Sequence, residues 1–221
     1  SALAFYWRSS TGIVCGNSLA GDVLAACQEY GMRQILVINP PANVMLPANF
    51  HPVFYDFAGL VEQSMQFWRT GNCRKIIMLR NECSIIPPPF VEVIDLKEYP
   101  SVEVGRAWAE RLANEPPDTG FWVTDDFVGL GLYDYFRSRG VDLNGSGRLL
   151  VNSSPSRVLT DELGIATVGF CPMHVGEDAA AHFSRILKEA DDEKKVSAPL
   201  IIGAEANMSA RRHDELPDTS T

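Results

Sequence analysis

The chain reads as an α/β protein with two doubly wound parallel-sheet lobes, and three observations point there. Apolar runs such as Gln34–Ile38, Lys75–Leu79 and Leu149–Val151 show no alternation, the pattern of strands buried on both faces. Segments with apolar residues at helical spacing separate these runs, so strand and helix alternate along the chain. The run Phe121-Trp122-Val123 leads into the carboxylates Asp125 and Asp126, and a helix starts at once. In α/β proteins the carboxyl end of a strand is where ligands are held.

Taken in order, Gly12–Cys15 is a short strand, and Asn17 or Ser18 caps a helix running to about Tyr30, with Leu19, Val23, Leu24 and Cys27 at helical spacing. Gly31 ends that helix, Gln34–Ile38 is a buried strand, and Asn39-Pro40-Pro41 breaks it. Pro52–Tyr55 is the next strand. A helix from about Phe57 to Arg69 puts Leu60, Val61, Met65 and Trp68 on one face, and Gly71 ends it. Lys75–Leu79 is a further buried strand, interrupted after Cys83 by Pro87-Pro88-Pro89, a loop or lobe boundary.

Phe90–Leu96 reads as a strand and Val102–Leu112 as a helix ended by Pro116-Pro117. Phe121–Val123 is a strand, Val128–Ser138 a helix, and Leu149–Val151 and Ala166–Val168 are strands. Gly176–Ala190 is a helix with Ala180, Phe183, Ile186 and Leu187 inward, and Leu200–Ile202 is the last strand. The polar, acidic tail at 210–221 is expected to be disordered.

Composition narrows the function classes. With 46% hydrophobic and 21% charged residues, the 221-residue chain suits a soluble globular protein with a sizeable core. A net charge of −9 argues against a nucleic-acid surface within this chain, because phosphate binding needs clustered Lys and Arg. The five cysteines have no Cys-x-x-Cys spacing, so reduced thiols in a cytoplasmic protein are expected, with no metal and no cofactor. No apolar run reaches membrane-spanning length, and no secretory leader is visible. The four histidines lack metal-ligand spacing, and neither a Gly-x-Ser-x-Gly elbow nor a phosphate-cradling loop occurs, so no enzyme is expected. Gly129 and Gly131 fall inside a helix, which makes them a close-packing signal.

Several segments resemble, in order, the effector-binding domain of transcription regulators of the lactose-repressor and galactose-repressor type. Phe54-Tyr55-Asp56-Phe57-Ala58-Gly59, a helix, and Thr70–Leu79 are similar to the family's Val-Asp-Asn-x-x-Gly helix followed by Leu-Gly-His-Arg-Arg-Ile-Ala-Phe. Phe121–Gly131 resembles its Phe-x-x-Asn-Asp-x-x-Ala-x-Gly. Leu149–Val168 lines up on the segment from Val-Val-Gly-Phe-Asp-Asp to Leu-Thr-Thr-Val, and Asp178–Leu187 and Pro199–Ser209 on the closing helix and strand.

The resemblance implies a fold like that of type I periplasmic sugar-binding proteins. It assigns 1–80 with 170–195 to an N-terminal lobe and 81–169 with 196–209 to a C-terminal lobe. It further implies a small polar effector, a carbohydrate by preference, clamped between the lobes by hinge closure. It also implies a homodimer, and DNA reached through a head that is not in this chain. The alternative is a periplasmic sugar-binding protein serving an ABC transporter. The sequence departs from the family in two places: the family has a strand, a helix and a second strand ahead of Ser1, and a helix with an effector-gripping arginine between Cys83 and Phe90.

Six residues are candidate ligand contacts. Asp125 stands where the family has an asparagine that hydrogen-bonds the effector; as an acceptor-only group it suits sugar hydroxyls or a cation. Asp126 is the expected helix cap. Ser153 stands at the family's strand-end Asp, or is a turn residue. Asn39 reaches the cleft or forms an Asx turn before Pro40. Tyr55 and Tyr99 either stack on a sugar ring or belong to the core, and Phe170 either floors the cleft or packs there.

Overall fold

Parallel pairing of short strands organises this chain, a computed structural model describing residues 12–15, 25–26, 29, 34–40, 46, 48–81, 85–153, 158–189 and 199–207. The expected cap at Asn17 or Ser18, most of the helix to Tyr30, and the tail at 210–221 lie outside the described residues. Contacts divide the chain into two units, Ser1–Asp56 with Pro172–Gly203 and Phe57–Cys171 with Ala204–Thr221.

In the first unit, β1 (Gly12–Cys15), β2 (Ile35–Ile38), β3 (Phe50–Tyr55) and β9 (Leu200–Ile202) form a four-stranded sheet in that order, all pairs parallel. All four residues of β2 are buried, as the unbroken Ile-Leu-Val-Ile run requires of a strand covered on both faces. The helix Pro172–Glu189 buries Val175, Ala179, His182, Phe183 and Ile186. It begins four residues ahead of the expected Gly176, since Pro172 is pre-set for a first helical turn. The buried stripe follows the i, i+4, i+7 spacing of Val175, Ala179, His182, Phe183 and Ile186, which leaves Ala180 and Leu187 exposed instead of inward.

The second unit holds α1 (Phe57–Thr70), β4 (Lys75–Arg80), β5 (Glu92–Asp95), α2 (Val102–Arg111), β6 (Thr119–Val123), α3 (Asp126–Ser138), β7 (Leu149–Asn152), a π-helical turn at Val158–Glu162, β8 (Ala166–Gly169) and β10 (Glu205–Asn207). Its sheet runs β10-β8-β7-β6-β4-β5, parallel except for the antiparallel edge strand β10. Alternate residues of each strand serve opposite faces. Ile77, Leu79, Phe121, Val123, Leu149 and Val151 join one cluster with Val128, Leu132 and Phe136 of α3. Ile76, Met78, Trp122, Leu150 and Val168 join the other with Leu60, Met65 and Trp68 of α1. At ~25 cal/mol per Å² of apolar surface, two such faces are the main favourable term holding the strand ends in place.

The expected lobe boundary near residue 80 does not coincide with these units. Such a cut would separate β4 from β5 and β6, to which it is hydrogen-bonded in register. The divisions fall after Asp56, Cys171 and Gly203, so α1 and β4 belong to the second unit and β9 to the first.

On the first face, α2 and α3 cross with their backbones touching. A Cβ on Gly131 would lie 2.2 Å from the Val102 carbonyl oxygen and 2.8 Å from the Gly105 Cα. A Cβ on Gly105 would lie 2.3 Å from the Val128 carbonyl oxygen. The close-packing signal at Gly131 is therefore borne out, with Gly105 as its counterpart. Among the described residues, no helix is long and apolar enough to cross a membrane.

Candidate functional site

From β4 the chain moves to β5 on one side, then returns past β4 to β6, β7 and β8 on the other. That reversal opens a crevice outside the carboxyl ends of β4 and β6, the place where open α/β sheets hold ligands. Backbone bonds fix the strand ends around it. The Thr124 amide donates to the Leu79 carbonyl (3.1 Å), and the Leu96 amide to the Arg80 carbonyl (2.8 Å). The Asn81 amide donates to Thr124 Oγ1 at 3.1 Å. Ser101 caps α2 through its hydroxyl, which accepts from the Val104 amide at 3.2 Å and so anchors the loop after β5.

An open cavity of about 950 Å³ lies here, lined by Arg80, Asn81, Asp95, Tyr99, Thr124 and Asp125 among others. The size suits a small molecule. Arg80 Nε donates to Asp95 Oδ1 at 2.8 Å, and its Nη1 to the Ile85 carbonyl at 3.3 Å. The hydrogen bond from Arg80 holds the Asp95 carboxyl below its usual range. Asn81 Oδ1, buried in the wall, meets no hydrogen-bond donor among the described residues.

The capping role falls to Asp125, one residue before the expected Asp126. Asp125, with extended backbone, is the helix cap: its Oδ1 accepts from the Phe127 amide at 2.9 Å and the Val128 amide at 3.1 Å. Asp126 is the first residue of α3, so its side chain points away from the amides that a cap would serve. It is half-buried, and burial pushes its carboxyl up, opposed by a hydrogen bond with Ser153 and reinforced by the charge of Asp125. Ser153 is buried at the end of β7, with its amide donating to the Val168 carbonyl at 3.2 Å.

Of the six residues singled out from sequence, Tyr99 and Asp125 line one cavity, with Tyr99 91% exposed on its rim. Ser153 instead pairs with Asp126 one strand further along. Asn39 and Tyr55 stand at the carboxyl ends of β2 and β3 in the other unit. Asn39 takes a left-handed φ of 50° and donates its amide to the Val53 carbonyl, a conformation an asparagine tolerates in a turn. Phe170 meets Phe57 edge-on at 5.5 Å and packs against the second core face. Sequence reasoning missed Arg80, Asn81 and Thr124. Their signal was present: a polar pair closing the apolar run Ile76–Leu79 is the same pattern as Thr124-Asp125 after Val123.

No protein-family model and no curated sequence matches this chain. Solved structures do. Transcription regulator CcpA of Lactococcus lactis is 16% identical, with a TM-score of 0.64 over 93% of this chain and 79% of that one. A LacI family transcriptional regulator from Arthrobacter sp. FB24, solved with lactose, is 13% identical with a TM-score of 0.68 over 95% and 82%. Another from Enterococcus faecalis, with bound ribose, is 12% identical with a TM-score of 0.64 over 93% and 79%. The fold is that of the LacI-family regulators. The resemblance read from the sequence therefore holds at the level of fold, with parallel-dominated sheets and intervening helices.

Proposed function

We propose that this chain senses a small polar molecule, a neutral carbohydrate by preference, at the carboxyl edge of its six-stranded sheet. It would do so as the effector-binding part of a bacterial transcription regulator that contacts DNA through a separate head. A homodimeric, cytoplasmic form belongs to the same proposal. The observation that carries the reading is the cavity at the strand-order reversal, whose lining includes Asn81, Asp95, Thr124 and Asp125, residues that carry acceptor oxygens. Hydroxyl-rich ligands supply the donors that such groups need. Two structural neighbours solved with ribose and with lactose support the class of ligand.

A binding role also fits the carboxylates better than catalysis does. Asp125 is engaged by amides of α3, and Asp126 turns to Ser153, so the two do not form a paired acid and base. A thermal-shift screen of ribose, lactose and other neutral sugars on the full chain tests the reading. At a concentration a hundred times Kd, a bound ligand adds ~2.7 kcal/mol, which raises the melting temperature by roughly 5–10 °C. If no sugar or nucleoside shifts it, and Asp125→Ala changes no ligand response, the proposal loses its basis.

A further inference from the structure

Arg80 and Asp95 are the last residues of β4 and β5, and they are direct partners in the parallel register. Their side chains meet at 2.8 Å through Arg80 Nε and Asp95 Oδ1, while Arg80 Nη1 is held by the Ile85 carbonyl. Arg80 is the guanidinium of the cavity at the strand-order reversal, and a guanidinium is the group best shaped to grip a phosphate or carboxylate. Here its charge is answered by a carboxylate built into the sheet edge. Around the cavity the cations Arg80 and Lys97 face the carboxylates Asp95, Glu98 and Asp125, so the lining as a whole is negative.

We propose that Asp95 sets the charge of the ligand this cavity accepts: by pinning Arg80, it bars phosphorylated and carboxylated molecules and leaves an uncharged, hydroxyl-bearing one as the fit. This rests on the carboxyl-edge cavity being a ligand site. Asp95 acts through Arg80 and is a specificity-determining residue. Replacing it with an amide of the same shape leaves two cations against two carboxylates and leaves the guanidinium's charge unanswered by Asp95. Specificity of this kind comes from an element directed against the wrong ligand as much as from contacts to the right one.

The test titrates the full chain with inorganic phosphate, ribose 5-phosphate and ribose by calorimetry, in wild type, Asp95→Asn, Asp95→Ser and Asp95→Asn/Arg80→Gln. Circular dichroism checks that each variant is folded. Both Asp95 variants are expected to bind inorganic phosphate and ribose 5-phosphate at least tenfold more tightly than wild type. That gain should weaken with added salt and vanish in the double variant. The idea is overturned if wild type takes ribose 5-phosphate as tightly as ribose, if neither Asp95 variant gains anion affinity, or if the gain survives loss of Arg80. The two proposals fail separately. An Arg80-dependent phosphate gain with no neutral ligand in any screen sinks the sugar reading and keeps the charge gate. Neutral-sugar binding with no phosphate gain does the reverse.

Discussion

The crossing of α2 over α3 and the carboxyl edge between β4 and β6 belong to one sheet, yet they are built on opposite chemistry. At the crossing two glycines bring backbone against backbone, with no room for a methyl group, and the Arg106–Asp134 ion pair links the two helices beside them. At the edge the apolar runs of β4 and β6 give way to Arg80-Asn81 and Thr124-Asp125, whose polar groups line an open cavity. The first region supplies rigidity, and the second uses it. Asp125 caps α3, so the same helix that is locked at Gly131 presents its amino terminus beside the cavity.

Separating the two roles by mutation gives the largest effect first. Gly131→Ala puts a methyl into the Val102 carbonyl and should destabilise the second unit by ~1–3 kcal/mol or more, read as a lowered denaturant midpoint. The ligand affinity of the molecules that remain folded should stay within twofold of wild type. A large affinity change there would break the separation. Asn81→Leu should do the opposite, reducing affinity about tenfold, or ~1.4 kcal/mol, while stability stays level or rises because a buried oxygen without a donor is removed.

Asp125→Ala crosses the divide. Loss of the cap should cost ~1 kcal/mol of stability, and ligand affinity should fall as well. Asp125→Ser keeps a capping oxygen, so it should restore most of the stability and only part of the affinity. The smallest effect concerns pH. Burial raises the Asp126 carboxyl above its ordinary value, so the folded state holds that proton more tightly than the unfolded state does. Stability should therefore decline as pH rises from the ordinary carboxylate range through the raised value. Asp126→Asn should flatten that decline and be slightly more stable at neutral pH, as measured by denaturation from pH 4 to 8. A steeper decline would contradict the assignment.

What was legible in the sequence follows from range. The cores of β4, β6, β7 and β8 were readable because unbroken apolar runs between helical stretches have one simple home, a sheet covered on both faces. Gly131 was readable as a packing residue because glycine inside a helix needs a reason. The unit boundary was not, since the sheet to which β3 and β4 each belong is set by their pairing partners, which lie elsewhere along the chain. β10 escaped because Glu-Ala-Asn carries no apolar pattern and pairs only as an edge. The cap was misplaced by a single residue. Either aspartate satisfies the preference, and only the point at which the chain leaves extended geometry decides between them.

The central claim is that ligand binds outside the carboxyl ends of β4 and β6. Hydrogen–deuterium exchange on the full chain, with and without a stabilising sugar, tests it most directly. Slowed exchange should be confined to amides at 80–81, 95–100 and 124–128, while the α2–α3 crossing, already slow, stays unchanged. Protection centred instead on the amino-edge groove near Gln66, Thr70 and Ser146, with none at 80–81 and 124–128, would contradict it.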